Sequence, residues 1–342
     1  MMETIWFVLW GLLWAVYFVL DGFDFGMGTL LPFLAKNDDE KRIVYNAAGP
    51  YWDGNEVWLI TAGGVTFAAF PKAYAVMFSA LYAPLLILLF ALIFRAVSFE
   101  FRGKKDCAAW RKFWDACQFL GNFLPALLLG VAFANLFMGI PIDGDGVYHG
   151  NILKLLNPYG LAGGVFFVLI FCMHGALWLA LKSVGDIHER AVAAARIIWP
   201  LVLAVALAFF ALTDVYTNLY ANYGAHPTLL IFPILAVASL LTVRVMIGAE
   251  TLLGAWFFSA LFIICVTFFG VLGMFPGIVI SSIDPAFSVT AFNGASSPLT
   301  LKIMLGVTLC CVPVVIAYQA WVYYTFAHKV TPESLQSDHH AY

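Results

Sequence analysis

The sequence predicts an all-α integral membrane protein: a bundle of nine transmembrane helices with its N-terminus outside and its C-terminus in the cytoplasm. Three observations carry that expectation. The 342 residues are 63% hydrophobic and only 11% charged, with a mean hydropathy of +0.91, whereas a water-soluble domain carries about 25% charge. Apolar runs close to the roughly 20 residues needed to cross a hydrocarbon core of about 30 Å recur along the chain. Lysine and arginine fall almost wholly to one side of those runs.

Taken in order, the first run covers 4–35 and is interrupted by Asp21 and Asp24. The second, 57–70, reaches full length only by including Asp53 and Glu56. The runs 73–94, 116–140, 158–181, 252–275 and 303–327 contain no Asp, Glu, Lys or Arg. Two shorter ones, 197–213 and 228–247, are closed by Asp214 and contain Arg244, respectively. Pro84, Pro125 and Pro313 lie within spans, where kinks are tolerated because neighbouring helices re-satisfy the backbone. Two turn-rich outer stretches, 141–151 and 276–299, are too short to be domains. Residues 1–330 therefore read as one transmembrane domain and 331–342 as a disordered cytoplasmic tail, whose His339 and His340 are not expected to form a metal site.

Orientation follows from the basic residues. Lys36, Lys41 and Arg42 lie in the first loop, six more between 95 and 112, then Lys182, Arg190, Arg196, Arg244 and Lys329 on the same side. Lys72, Lys154 and Lys302 are the only ones opposite. Basic loops stay cytoplasmic, so an odd number of spans starting outside fits. No Lys or Arg precedes Lys36, so the first run lacks the basic region of a cleaved signal and reads as a retained span. A net charge of −3 excludes a basic nucleic-acid binder. The six cysteines have no C-x-x-C spacing and read as free thiols. Phosphate-loop, serine-hydrolase, zinc-protease and dinucleotide motifs are absent.

Acids inside a membrane span are costly and point to function. Asp21 and Asp24 share one helix face at i, i+3 in DGFDFGMG, where Gly22, Gly26 and Gly28 admit a neighbouring helix. Asp24 lies about 11 residues, roughly 16 Å, from the cytoplasmic end of its span. Asp53 and Glu56 repeat the spacing at the cytoplasmic start of the second span, and Arg95 ends the third on the same side. A carboxylate at 53 or 24 either pairs with Arg95 or stays protonated, since burial disfavours the charged form. One reading is a chain of acids that carries protons inward. The other is an Asp53 helix cap and a structural Asp–Arg pair. Trp52 and Trp58 flank this cluster, while most tryptophans sit at span ends as interfacial anchors. His174, alone in mid-span, reads as a hydrogen-bonded core histidine rather than a haem or metal ligand, so no redox centre or metal site is expected in this chain alone.

These segments resemble a known family. DGFDFGMG (21–28), YWDGNEVWLITAGG (51–64), FRAVSFEFR (94–102), LLNPYGLAGG (155–164) and the stretch from MFP to SSPLTL (274–301) are similar to the second subunit of cytochrome bd-type terminal oxidases, over nearly the whole chain. The resemblance implies a nine-span helical subunit of the bacterial cytoplasmic membrane. It would dock on a larger subunit I that carries two b-type haems and one d-type haem and oxidises quinol while dioxygen is reduced to water. It also implies a proton route from the cytoplasm that includes Asp53, with Asp24 and Arg95 in the same polar region and Trp52 part of the same motif. Some members hold a structural quinone here, and small single-span accessory subunits are further partners in the family. Glu56 stands where the family also has glutamine. Two other readings remain at this stage: a secondary transporter with Asp24 and Asp53 as coupling sites, against which no inverted repeat is visible, and a structural scaffold.

Overall fold

The computed structural model describes residues 1–337 and 342. Its helices are α1 (Met2–Leu34), α2 (Asp38–Ala48), α3 (Trp52–Ala69), α4 (Pro71–Ala80), α5 (Tyr82–Phe101), α6 (Ala108–Met138), α7 (Ile152–Leu155), α8 (Pro158–Lys182), α9 (Gly185–Tyr216), α10 (Leu219–Ala225), α11 (Ile231–Gly248), α12 (Leu252–Met274), α13 (Pro298–Thr325) and α14 (Pro332–Ser337). Eight of them are long and apolar enough to cross a membrane: α1, α5, α6, α8, α9, α11, α12 and α13, with short 3-10 turns extending α5 and α11. The chain is therefore a multi-pass membrane protein. The ninth expected span corresponds to α3, whose 18 residues include Asp53 and Glu56 and which is not among the eight.

The expected span at 73–94 is a correction. It is broken at Leu81 between α4 and α5. Pro84 explains the break: it has no N–H to offer the carbonyl of Ala80, and its ring would clash with that carbonyl in a continuous helix. The apolar helix is instead α5, which runs on to Phe101. Two others begin before their apolar runs, α6 at Ala108 and α9 at Gly185. Hydropathy marks the lipid boundary, whereas helix ends are set by caps and breakers, so the extensions are polar helix in water. The tail is also more ordered than expected, since 332–337 forms α14 and Leu335 is buried. His339 and His340 lie outside the described residues.

α1 is the hub. It packs on α3, α6, α8 and α12, and Gly26 sets the closest crossing. A Cβ there would stand 1.8 Å from the Phe171 carbonyl oxygen of α8, and one on Gly175 would stand 2.5 Å from the Met27 nitrogen. Only glycine lets these backbones meet. By contrast, 6% of the most apolar stretch of α13 is buried, against 72% for α8 and α12.

At one end of the bundle, basic residues are tied to acids: Lys41 and Arg102 to Asp115 (2.8 and 2.7 Å), Arg102 to Asp38 (2.6 Å) and Arg190 to Glu40 (2.6 Å). Partial burial pushes the Glu40 carboxyl up, but the Lys36 N–H and Arg190 outweigh it and hold it below its usual value. At the other end the two turn-rich stretches join. The Ile140 N–H donates to Ile280 O (2.9 Å), and the Ser281 hydroxyl donates to Ile142 O (2.6 Å). A small antiparallel ribbon of β1 (Gly277–Val279) and β2 (Val289–Thr290) completes this face.

Candidate functional site

Three helices meet at a fully buried guanidinium. Arg95 of α5 donates from Nη1 to Asp21 Oδ1 (2.7 Å) and from Nη2 to Asp21 Oδ2 (3.2 Å), and Nη2 also reaches Glu56 Oε2 of α3 (2.9 Å). A planar fork serving a carboxylate with two bonds is the geometry that arginine, not lysine, provides. The Phe25 ring lies 4.8 Å from Cζ. Access for α6 depends on Gly121, where a Cβ would stand 2.8 Å from the Arg95 nitrogen. The partner of Arg95 is thus Asp21 with Glu56, and neither Asp24 nor Asp53 pairs with it.

Asp24, one turn further along α1, is buried without a cation in contact. Its Oδ2 accepts from Asn55 Nδ2 (2.7 Å), and Asn55 Oδ1 accepts from the Tyr323 hydroxyl of α13 (2.9 Å). Oδ1 of Asp24 has no hydrogen-bond partner among the described residues. The Tyr323 ring packs against Tyr51 at 4.6 Å. Tyr51 accepts from Lys182 Nζ (2.9 Å) and donates to Phe326 O (2.7 Å). Lys182 also donates to His328 O (3.0 Å) and to Phe326 O. Gln319 ties α13 to α3 by accepting from Trp58 Nε1 (3.0 Å) and donating to Gly54 O (2.8 Å). A polar seam therefore leads from mid-bundle Asp24 to the junction of α3, α8 and the end of α13.

The four acids are sorted differently from the first expectation. Asp53 is exposed, in the first turn of α3, and makes no cap hydrogen bond, since Tyr51 occupies the cap position. Glu56, instead of being a free helix-start acid, is bound to Arg95. Trp52 is buried and stacks on Phe99 (5.1 Å, 4°). His174 uses both ring nitrogens, toward Ser259 Oγ (2.6 Å) and Val19 O (3.1 Å), and stacks on Trp256 (5.1 Å), as a core histidine does. No group of three or more His, Cys, Asp or Glu gathers as a metal site among the described residues. Sequence reasoning missed Asn55, Tyr51, Tyr323 and Lys182. Asn55 carried a signal, as an amide between Asp53 and Glu56, but nothing local to Tyr323 announces a contact 268 positions away.

A second feature is an apolar cleft of about 680 Å³ between α1, α3, α4, α5 and α6. Trp14, Phe67, Met77, Leu85 and Phe133 are among its walls. The Trp14 indole N–H has no partner among the described residues.

A multi-helix membrane protein with a buried Asp–Arg–Glu cluster is what this fold and site define. The chain belongs to the family of cytochrome bd terminal oxidase subunit II, whose model matches residues 2–326. It is 37% identical to cytochrome bd ubiquinol oxidase subunit 2 of Bacillus subtilis, over 96% of this chain and 97% of that one. It is 36% identical to cytochrome bd-I ubiquinol oxidase subunit 2 of Escherichia coli K12, over 99% and 98%. The fold is also that of a chain in the bd oxidase structure from Geobacillus thermodenitrificans, with a TM-score of 0.79 at 16% identity, covering 95% of this chain and 98% of that one. The protein is thus a subunit of a quinol-oxidising bd-type oxidase complex, partnered by a subunit I.

Proposed function

We propose that this subunit holds the haem-bearing subunit I in place and supplies part of the route by which protons reach the site where dioxygen becomes water. Two b-type haems and a d-type haem held by subunit I would supply the electron transfer from quinol to dioxygen; this chain's part is to hold and move protons. One observation carries the reading: Asp24 is a buried acid with, among the described residues, no cation in contact and one oxygen without a hydrogen-bond partner. In the Asp21–Arg95–Glu56 cluster the charges are committed to one another, so those acids hold structure together. A carboxyl that can take and release a proton needs a protonation state not locked by a salt bridge, and Asp24 has that freedom. Asn55 holds one of its oxygens and leaves the other open. Exposed Asp53, at the start of α3, is the entry group of the route.

The remaining features of the proposal rest on the placement of basic residues and on exposed apolar surface. α3 is the ninth span, the N-terminus is outside and the C-terminus cytoplasmic in the bacterial inner membrane, and residues 1–330 fold as one domain. The outward apolar side of α13, with Leu309, Val314, Ile316 and Trp321 exposed, suits docking to subunit I, and single-span accessory subunits are further partners. The apolar cleft fits the prenyl tail of a structural quinone, with the Trp14 N–H as a donor to a head-group carbonyl.

The test is a reduced-minus-oxidised visible spectrum of the complex purified through a tag on this chain, followed by oxygen consumption of Asp24→Asn and Asp53→Asn. Haem b and haem d bands with slowed turnover in both variants support the proposal. Full turnover in both variants makes the chain a scaffold alone.

A further inference from the structure

A cavity of about 700 Å³ at the opposite flank of the bundle is lined by Leu181 of α8, His188, Glu189 and Arg196 of α9, Glu250 and Leu252 at the α11–α12 turn, and Lys329. Its depth is set by the sequence. Leu181 closes the apolar run of α8, Arg196 immediately precedes that of α9, and Leu252 opens α12. The cavity therefore straddles the boundary between hydrocarbon and head groups, with leucines toward one and charges toward the other.

Two features of its lining bear on what it can hold. Arg196 and Lys329 line the same space as Glu189 and Glu250, and none of the four makes an ion pair among the described residues. Glu250 also holds its backbone at φ 57°, a left-handed conformation that favours glycine. Keeping a carboxylate there costs backbone strain, as functional positions do.

Separated charges of both signs above an apolar floor match a ligand with an anionic group, a cationic group and acyl chains. We propose that this cavity binds a zwitterionic phospholipid with an ethanolamine head group. Arg196 and Lys329 receive the phosphate, Glu189 and Glu250 receive the ammonium, and Leu181, Leu252 and Leu253 meet the first acyl carbons. The acids select against an anionic lipid, which presents the same phosphate without the compensating ammonium.

The experiment is native mass spectrometry of the full chain, purified with its native partners, after exchange into equal amounts of phosphatidylethanolamine and phosphatidylglycerol. The wild type should retain one phosphatidylethanolamine in about tenfold preference, the effect of a lost charge-assisted contact or two. Arg196→Ala with Lys329→Ala should lose that lipid. Glu189→Gln with Glu250→Gln should still hold a phospholipid but with the preference abolished or reversed. No preference in the wild type, or unchanged lipid retention in both variants, overturns the proposal. So does displacement of the lipid by millimolar inorganic phosphate, which would make this a free-phosphate site. The readout does not involve oxidase turnover, so it stands or falls apart from the proton route.

Discussion

Replacing Arg95 by methionine would remove the one cation shared by Asp21 and Glu56. Asp21 has no access to solvent, and its two oxygens now receive bonds of 2.7 and 3.2 Å from the guanidinium. Without them a carboxyl is stranded in a site built for an ion. Breaking a buried pair from one side costs about 3–5 kcal/mol. Glu56 adds little, because its side chain keeps 22% of its surface and can turn to solvent. At about 1.4 kcal/mol per factor of ten, the loss is at least a hundredfold in the ratio of folded to unfolded subunit. The complex in detergent should then melt about 5–10 °C lower, with reduced haem content after purification. Adding Asp21→Leu to Arg95→Met should recover most of that loss, because apolar replacement of a whole buried pair is often neutral. Wild-type melting of the single variant, or a double variant no better than the single, would refute a structural role for the pair.

Asp24→Asn should leave haem content and melting near wild type while oxygen consumption falls roughly tenfold to a hundredfold, a modest share of what a positioned acid or base contributes; equal turnover sinks the role. Gly26→Val should cost at least about 1–3 kcal/mol, because the added carbon meets the Phe171 carbonyl at 1.8 Å and backbone must move; normal expression and melting would contradict the crossing. His174→Gln should retain every haem band, since both ring nitrogens serve Ser259 and Val19; loss of one band would make this residue a ligand. Contact with His149 (2.6 Å) and the Val147 N–H holds the Asp143 carboxyl below its usual value. A depressed acid stabilises above its unfolded pKa of about 3.9, and that contribution is lost as pH falls through the folded value. Amide protection in 141–151 should therefore drop below about pH 4 in the wild type, and Asp143→Asn should remove that pH dependence.

The class of the protein and its apolar, multi-pass character were legible in the chain. Hydropathy is a local sum, so the apolar runs appear wherever lipid will be, and an Asp in such a run is visible without knowing its neighbours. Helix ends were legible only in part. The break at Leu81 could have been foreseen from Pro84, whereas the polar extensions of α6 and α9 leave no hydropathy signal. What the sequence could not say was who pairs with whom. The sequence offered Asp24 or Asp53 as the partner of Arg95, yet Asp21, one turn from Asp24 on the same helix, is the one that meets it. Which one does depends on how α5 and α3 are rotated against α1, and that is decided by close contacts such as Gly121 of α6 against α5 and Gly26 of α1 against α8. Only the packed bundle gives Arg95 to Asp21 and Glu56, leaves Asp24 to Asn55 and Tyr323, and turns Asp53 outward. Local composition determines what a segment dissolves in, but the partner of a buried charge lies on another helix, and its place is settled by shape.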